Sequence, residues 1–123
     1  MTKIASLMAT GSAAANAQSV VGTVTNSVAA TGSSQTDAYA LGSSNTVFTT
    51  VAASTGAILP AASSPGDRVF VSNLGANTLS VYPPTGGQVN NLTATTGAFS
   101  VATLKSASFM SRDGTSWVST LSA

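Results

Sequence analysis

The sequence predicts a mainly β fold: a short-stranded antiparallel β-sandwich or jelly-roll-like barrel that follows an extended N-terminal arm. From about residue 35, short runs of apolar and β-branched residues alternate with Gly, Pro, Asn and Asp, which is typical of short strands and turns. No part of this region keeps the helical spacing of apolar residues. All seven aromatic residues lie at or after Tyr39, so the material for a core belongs to the last two-thirds of the chain. We therefore expect an arm over residues 1–30 and a single β-domain over residues 31–123.

The arm has no clear secondary structure in its sequence. Ile4, Leu7 and Met8 have the spacing of a helix, whereas the Val, Thr and Gly residues after residue 20 favour an extended chain. A short helix and an extended segment both fit, and we expect a partner's surface to order the arm. Residues 15–17 match a signal-peptide cleavage pattern, but residues 10–12 interrupt the apolar run before it, which favours an uncleaved arm.

The first half of the β-domain predicts a hairpin and two further strands. Its expected strands are residues 38–41, 46–51, 57–60 and 68–72. The first two flank a Gly-Ser-Ser-Asn turn and should pair as a hairpin. Pro60 ends the third strand because proline lacks a donor for the ladder. The fourth follows a Ser-Pro-Gly-Asp turn and is apolar on both faces, which indicates a central strand.

The second half of the β-domain predicts two further strand pairings. Its expected strands are residues 78–82, 98–104, 106–110 and 117–118. Leu79 and Val81 should share the buried face of the first, and Val89 and Leu92 should anchor the loop after it. The second and third strands should pair with each other. The third and fourth enclose Asp113-Gly114, the favoured sequence for a two-residue type I′ hairpin turn.

The composition excludes most catalytic chemistry. Only 6% of the residues are charged, against roughly 25% in an average soluble domain. The chain has no His, Cys or Glu, so it lacks the usual general base, the thiol nucleophile and the main ligands of transition metals. It also has no phosphate-binding or nucleophile-elbow glycine motif. The sequence therefore predicts no enzymatic activity, no catalytic residue, no cofactor and no metal site.

Charge and hydrophobic content also limit which partners are expected. A net charge of +1 gives no basic footprint for nucleic acid, and no run approaches the roughly 20 apolar residues of a membrane span. We expect neither nucleic acid nor a membrane as a partner. A weakly charged chain with 43% hydrophobic residues is poorly protected against self-association, which indicates a subunit of an assembly.

The three carboxylates are the remaining candidates for a polar site. Asp67 and Asp113 stand in turn sequences, which favours turn roles for both, and Asp37 is the third. Asp113 and Thr115 could contribute oxygen ligands to a weak calcium site, but calcium commonly needs more than one carboxylate. We therefore expect these carboxylates to stabilise turns.

Several segments after residue 56 share an order and spacing with a known module. They are residues 56–61 (GAILPA), 66–67 (GD), 69–75 (VFVSNLG), 79–86 (LSVYPPTG), 89–90 (VN), Phe109 and 113–117 (DGTSW). In this order they resemble a module of small virion proteins of tailed bacteriophages, and a looser match extends back to about Thr31. The resemblance implies a β-rich, often trimeric structural subunit of the head or of a fibre, without enzymatic activity. It carries over no catalytic or ligand-binding residue.

Two main functions are compatible with these features. The first is a capsid decoration (cement) subunit on the capsid surface of the virion, made in the host cytoplasm. Its partners would be the major capsid protein and itself, as a homotrimer, and its β-domain and N-terminal arm would stabilise the phage head. The alternative is a tail-fibre or spike module that binds a host glycan, with Tyr82 and Trp117 as stacking residues. The competing interpretation is that Tyr82 packs at the end of a strand and that Trp117 belongs to the core. A bacterial adhesin subunit with a processed N-terminus is a third possibility.

Overall fold

The computed structural model describes residues 23–61 and 63–122, and these residues form nine strands in two sheets. The strands are β1 (Val24–Ala29), β2 (Tyr39–Ala40), β3 (Asn45–Thr50), β4 (Gly56–Ile58), β5 (Arg68–Asn73), β6 (Leu79–Tyr82), β7 (Phe99–Val101), β8 (Lys105–Ser111) and β9 (Trp117–Leu121). The described residues contain no helix that is long and apolar enough to cross a membrane. The prediction of a mainly β fold is confirmed, while the first 22 residues of the arm predicted over residues 1–30 lie outside the described residues.

Both sheets are mixed, with parallel strands first and antiparallel strands last. Sheet A has five strands in the order β1-β3-β5-β8-β9, and sheet B has four in the order β2-β4-β6-β7. Within sheet A, β1, β3 and β5 are parallel, and β8 and β9 continue the sheet antiparallel. Sheet B repeats this plan, with β2, β4 and β6 parallel and β7 antiparallel. The predicted all-antiparallel arrangement is therefore wrong, because each sheet contains parallel pairs. The predicted barrel is wrong as well, because neither sheet closes on itself.

Two of the predicted strand pairings are wrong because consecutive strands enter different sheets. From β1 to β6 the chain alternates between sheet A and sheet B. The two strands that were predicted to form the first hairpin are β2 and β3. In the structure β2 pairs with β4, whereas β3 lies between β1 and β5. Likewise β7 pairs with β6, whereas β8 pairs with β5 and β9. Burial of Leu41 and Val101 accompanies these crossings, so short connections between layers replace the expected hairpin turns.

The two sheets share one hydrophobic core. The Tyr39 and Phe48 rings, from β2 and β3, meet edge to face with centroids 5.5 Å apart. A second such pair, Phe99 with Phe109, joins β7 to β8 at 5.7 Å. Both pairs connect sheet A with sheet B, and edge-to-face contact is a favoured geometry for aromatic rings.

Several predictions about individual strands are confirmed. β5 is central in sheet A, between β3 and β8. Leu79 and Val81 are both fully buried on one face of β6, as their alternation predicted. Val89 is buried and anchors the loop between β6 and β7, whereas Leu92 in the same loop is one of the exposed apolar residues.

The described fold begins before the predicted boundary at residue 30. Val24–Ala29 forms β1 at the edge of sheet A, and Val28 packs against the core. Ser27 has a φ of 60°, and the register with β3 shifts around it, which marks a bulge. A bulge on an edge strand hinders the addition of a further strand. The last part of the predicted arm is thus an edge strand of the domain.

The β8–β9 hairpin is confirmed, but its turn has a different form from the one predicted. Arg112 N donates to Ser116 O at 2.7 Å, so three residues rather than two form the tip. Gly114 has a φ of 99°, and it is the one tip residue with a positive φ, whereas a type I′ turn needs two. Asp113 Oδ1 instead accepts bonds from the backbone of the residues that follow it, and this stabilises the longer tip.

Candidate interaction surfaces

The two aromatic residues proposed for sugar stacking lie in different sheets. Trp117 faces the core from β9 and is 1% exposed, so its ring offers no surface to a ligand. Among the residues that the structure describes, its indole Nε1 has no hydrogen-bond partner. Tyr82 is half-buried at the end of β6, and its hydroxyl donates to Ser33 O at 3.4 Å. The structure does not bring these two rings together.

The three carboxylates each stabilise a local turn. Asp67 Oδ2 accepts a bond from Ser64 N at 2.8 Å, and Asp113 Oδ1 accepts one from Ser116 N at 2.7 Å. Asp37 Oδ1 accepts bonds from two backbone N–H groups, including that of Ser34 at 2.9 Å. In residues 23–61 and 63–122, no three acidic, histidine or cysteine side chains come together in a way that could hold a metal ion.

These hydrogen bonds favour the ionised form of two of the carboxyls. The backbone N–H of Ser34 holds the pKa of Asp37 below its ordinary value of 3.8. The backbone N–H of Ser116 has the same effect on the pKa of Asp113. Thr115 Oγ1 also donates to Asp113 Oδ1, so this hydroxyl pairs with the carboxylate. Both carboxylates are therefore engaged by their own turns.

A buried asparagine organises the loops at one end of the molecule. Asn73, the last residue of β5, is fully buried. Its Nδ2 donates to Asn77 O at 2.8 Å and to Val101 O at 2.9 Å. Its Oδ1 accepts a bond from Gly75 N at 2.9 Å. One side chain thus joins the β5–β6 loop to the end of β7, and all of its polar atoms have partners.

Close packing reinforces the same loops. Asn77 Nδ2 donates to Val51 O at 2.8 Å, and Thr103 Oγ1 donates to Gly75 O. A Cβ at Gly75 would lie 2.6 Å from Val51 N, a separation that real Cβ atoms do not reach. The three loops after β3, β5 and β7 are therefore bound to one another as a rigid unit.

Two exposed leucines project from this unit, and we call Leu74 and Leu104 together the leucine end. Their exposed fractions are 54% and 76%. Leu74 N donates to Phe48 O at 2.8 Å, and Leu104 N donates to Asn73 O at 2.7 Å, so both backbones are fixed. Leu104 has a φ of 63°, a left-handed conformation that favours Gly or Asn. A large apolar residue is thus exposed at a position where its own backbone is strained, a combination found at functional sites.

A second apolar surface is the outer face of sheet A, defined by two rows of residues across the strands. One row is Asn45, Phe70, Ser108 and Thr120, and the other is Arg68, Met110 and Val118. Phe70 is 46% exposed and Val118 is 36% exposed. Arg68 is the one charged residue that the sheet A strands place on this face, since Lys105 is in register with the inward-facing Asn73. The face therefore combines apolar and hydroxyl groups with very little charge.

The free edge of β9 is partly closed. Trp117 N donates to Gln88 O at 2.7 Å, and Asn90 N donates to Trp117 O at 2.8 Å. Further along, the Asn90 side chain bonds to both the backbone N–H and the hydroxyl of Ser119. A side-chain amide thus takes the place of a neighbouring strand, which hinders strand addition at this edge.

Neither surface was singled out from the sequence. Leu74 lies in a turn sequence, and Leu104 is the last residue of a stretch that was expected to pair with the next strand. No family model matches this chain, and neither a curated protein nor a solved structure matches it significantly. Its function is therefore inferred from the geometry of its own residues and from the resemblance of its sequence to small virion proteins.

Proposed function

We propose that this chain is a non-enzymatic structural subunit of a phage virion, a capsid decoration subunit that binds the major capsid protein through its leucine end. The observation that carries the proposal is the fixed exposure of Leu74 and Leu104 on hydrogen-bonded loops. Rigid loops lose little conformational entropy on binding, so apolar side chains on them can contribute a large part of their burial to affinity. The resemblance to small virion proteins supports the same class of partner.

The rest of the chain is compatible with a binding role. The β-domain is sandwich-like, with two sheets around one core, and its weak charge suits contacts made by area and backbone hydrogen bonds. The glycan-binding alternative loses its best residue, because Trp117 is buried in the core. The attachment role of the residues before Thr23, and the homotrimer, remain predictions.

The test is binding of the full chain to purified shells of the phage major capsid protein. We expect Leu74→Ser with Leu104→Ser to weaken binding by about 30-fold or more, the effect of losing one interface hot spot. The matched control is Leu92→Ser, which changes an exposed leucine in the β6–β7 loop. Equal binding of the double variant and the control would overturn the leucine end as the attachment site.

A deletion of residues 2–22 tests the arm separately. It leaves every described strand in place, whereas a deletion to residue 30 would also remove β1 from sheet A. Loss of shell binding by this deletion, with unchanged unfolding of the β-domain, is the expected result if the arm attaches the subunit. Unchanged binding would show that the β-domain attaches alone.

A further inference from the structure

We propose that the outer face of sheet A is a self-association surface, on which two copies of this chain pack face to face about a two-fold axis near Phe70. Phe70 is central on this face, since β5 is the third of five strands. It is 46% exposed, and Met110 and Val118 extend the apolar surface across β8 and β9. This inference uses a different surface from the leucine end, so it does not depend on the proposed attachment site, and the two-fold dimer stands in place of the homotrimer that the resemblance implies.

The chemistry of the face favours a second copy as its occupant. In a two-fold interface the same patch contributes both sides, so each group must be compatible with its own kind. Apolar side chains meet this condition, and so do hydroxyl groups, because each can both donate and accept a hydrogen bond. Ser108 and Thr120 provide hydroxyls in the same row as Phe70. A face rich in carboxylates or ammonium groups would repel its copy.

The single charge on the face, that of Arg68, lies where repulsion between the two copies is weak. Arg68 lies two residues before Phe70 on the same strand, a distance of about 6.6 Å along it. If the axis passes near Phe70 and the facing β5 strands run in opposite directions, the two Arg68 Cα atoms lie on opposite sides of it, about 13 Å apart along the strands and about 10 Å apart across the interface, which gives about 16 Å. Arg68 is also the first residue of β5, so its long side chain can extend to solvent at the rim of the interface, where salt screens the repulsion between the two copies.

The area of the face is sufficient for a reversible dimer. Five strands about 4.8 Å apart give a width of about 24 Å, and six residues per strand give a length of about 20 Å. Two copies together would therefore cover about 1,000 Å², which is the size of a weak, reversible interface and lies below that of stable ones. We expect a dimer whose population rises with protein concentration rather than an obligate assembly.

The decisive experiment is a charge-pairing test at Phe70. Sedimentation equilibrium of the full chain should show a monomer–dimer equilibrium. Phe70→Lys and Phe70→Glu should each weaken dimerisation by about 30-fold or more, because like charges meet at the axis. An equimolar mixture of the two variants should restore the dimer, since opposite charges then face each other. Leu92→Lys, the matched control away from sheet A, should dimerise like the unchanged protein.

Several outcomes would overturn the inference. A monomer at all concentrations, a trimer, or dimerisation unaffected by either Phe70 variant each contradicts it, and so does a mixture that stays monomeric. Circular dichroism checks that the variants fold. If a Phe70 variant does not, Val118→Lys and Val118→Glu provide a second pair on the same face, where the side chain is 36% exposed. The result of the shell-binding experiment with the leucine-end variants does not affect the dimerisation measurements. Either proposal can therefore fail while the other holds.

Discussion

The Asn73 side-chain amide donates a hydrogen bond to the backbone carbonyl of Val101 at 2.9 Å, and this bond joins the last residue of β5 in sheet A to the last residue of β7 in sheet B. Both residues are fully buried. A buried polar group of this kind stabilises the fold only while every partner is present, because each unpaired group bears its full desolvation cost. The loops at this end of the molecule therefore depend on one side chain.

Asn73→Leu should destabilise the protein strongly. The substitution keeps the branching at Cγ but leaves Val101 O, Asn77 O and Gly75 N without their partner. At about 1–3 kcal/mol for each unpaired group, with some relief from water, we expect a loss of about 3 kcal/mol in the free energy of unfolding. Urea unfolding monitored by Trp117 fluorescence measures it. A loss below about 0.5 kcal/mol, the usual range of surface substitutions, would contradict the assignment.

Gly75→Ala and Gly42→Ala form a matched pair. A Cβ at Gly75 would lie 2.6 Å from Val51 N, so the loops must move apart, and we expect a loss of about 2 kcal/mol. A Cβ at Gly42 would have no atom within 4 Å, so Gly42→Ala should be neutral or slightly stabilising. Thermal unfolding of both variants measures the difference. Equal melting temperatures would show that the Gly75 contact is not restrictive.

Leu104→Gly should stabilise the isolated protein and lower its affinity for any partner that binds the leucine end. Gly adopts a φ of 63° freely, whereas Leu is strained there, and the 76% exposed side chain contributes little packing. We expect a gain of about 1 kcal/mol. Leu104→Ala keeps the Cβ and should show no such gain. Denaturant unfolding of both variants measures this, and a gain in Ala equal to that in Gly would exclude backbone strain as the cause.

Trp117 substitutions separate packing from hydrogen bonding. Trp117→Ala should cost about 3–5 kcal/mol, because it opens a cavity in a core shared by both sheets. Trp117→Phe should cost clearly less, since the indole Nε1 has no hydrogen bond to lose within residues 23–61 and 63–122. Unfolding by urea, followed by far-ultraviolet circular dichroism, compares them. A Trp117→Ala variant of ordinary stability would place this residue outside the core and revive the glycan-binding alternative.

Stability should fall in acid through Asp37 and Asp113. Hydrogen bonds lower the pKa of each carboxyl in the folded state below 3.8, so each contributes stability above its unfolded pKa and loses it as pH falls through the folded value. We expect constant stability from neutral pH to about pH 5 and a decline below about pH 4. Asp37→Asn with Asp113→Asn keeps an acceptor oxygen but removes the charge, and should flatten this decline. An acid transition identical to that of the unchanged protein would assign it to other groups.

The sequence predicted the strands better than their connections. The alternation of Leu79 and Val81 and the turn residues around β5 reflect local chemistry, and these predictions are confirmed. The pairing of β2 with β4, and of β3 with β5, joins residues far apart in the chain. Short-range patterns do not encode such pairings, because a connection between two layers has the same turn residues as a hairpin.

The leucine end was missed for a related reason. Leu74 and Leu104 are ordinary apolar residues in the sequence, and only the register of β5 with β8, which pairs Asn73 with Lys105, brings both to the same end of sheet A. The role of Asn73 is equally non-local, because its partner Val101 is 28 residues away. The turn roles of Asp67 and Asp113, by contrast, depend on neighbours within three residues and were predictable.

The spatial order of strands in each sheet is the order in which the ribosome makes them. Sheet A runs β1-β3-β5-β8-β9 and sheet B runs β2-β4-β6-β7, so no strand must insert between two that have already paired. Each newly emerged segment can add to the growing edge of a sheet that is already present, and folding can proceed in step with synthesis from the N-terminal side. In sheet A this growth stops at β9, where the side chain of Asn90 occupies the next position.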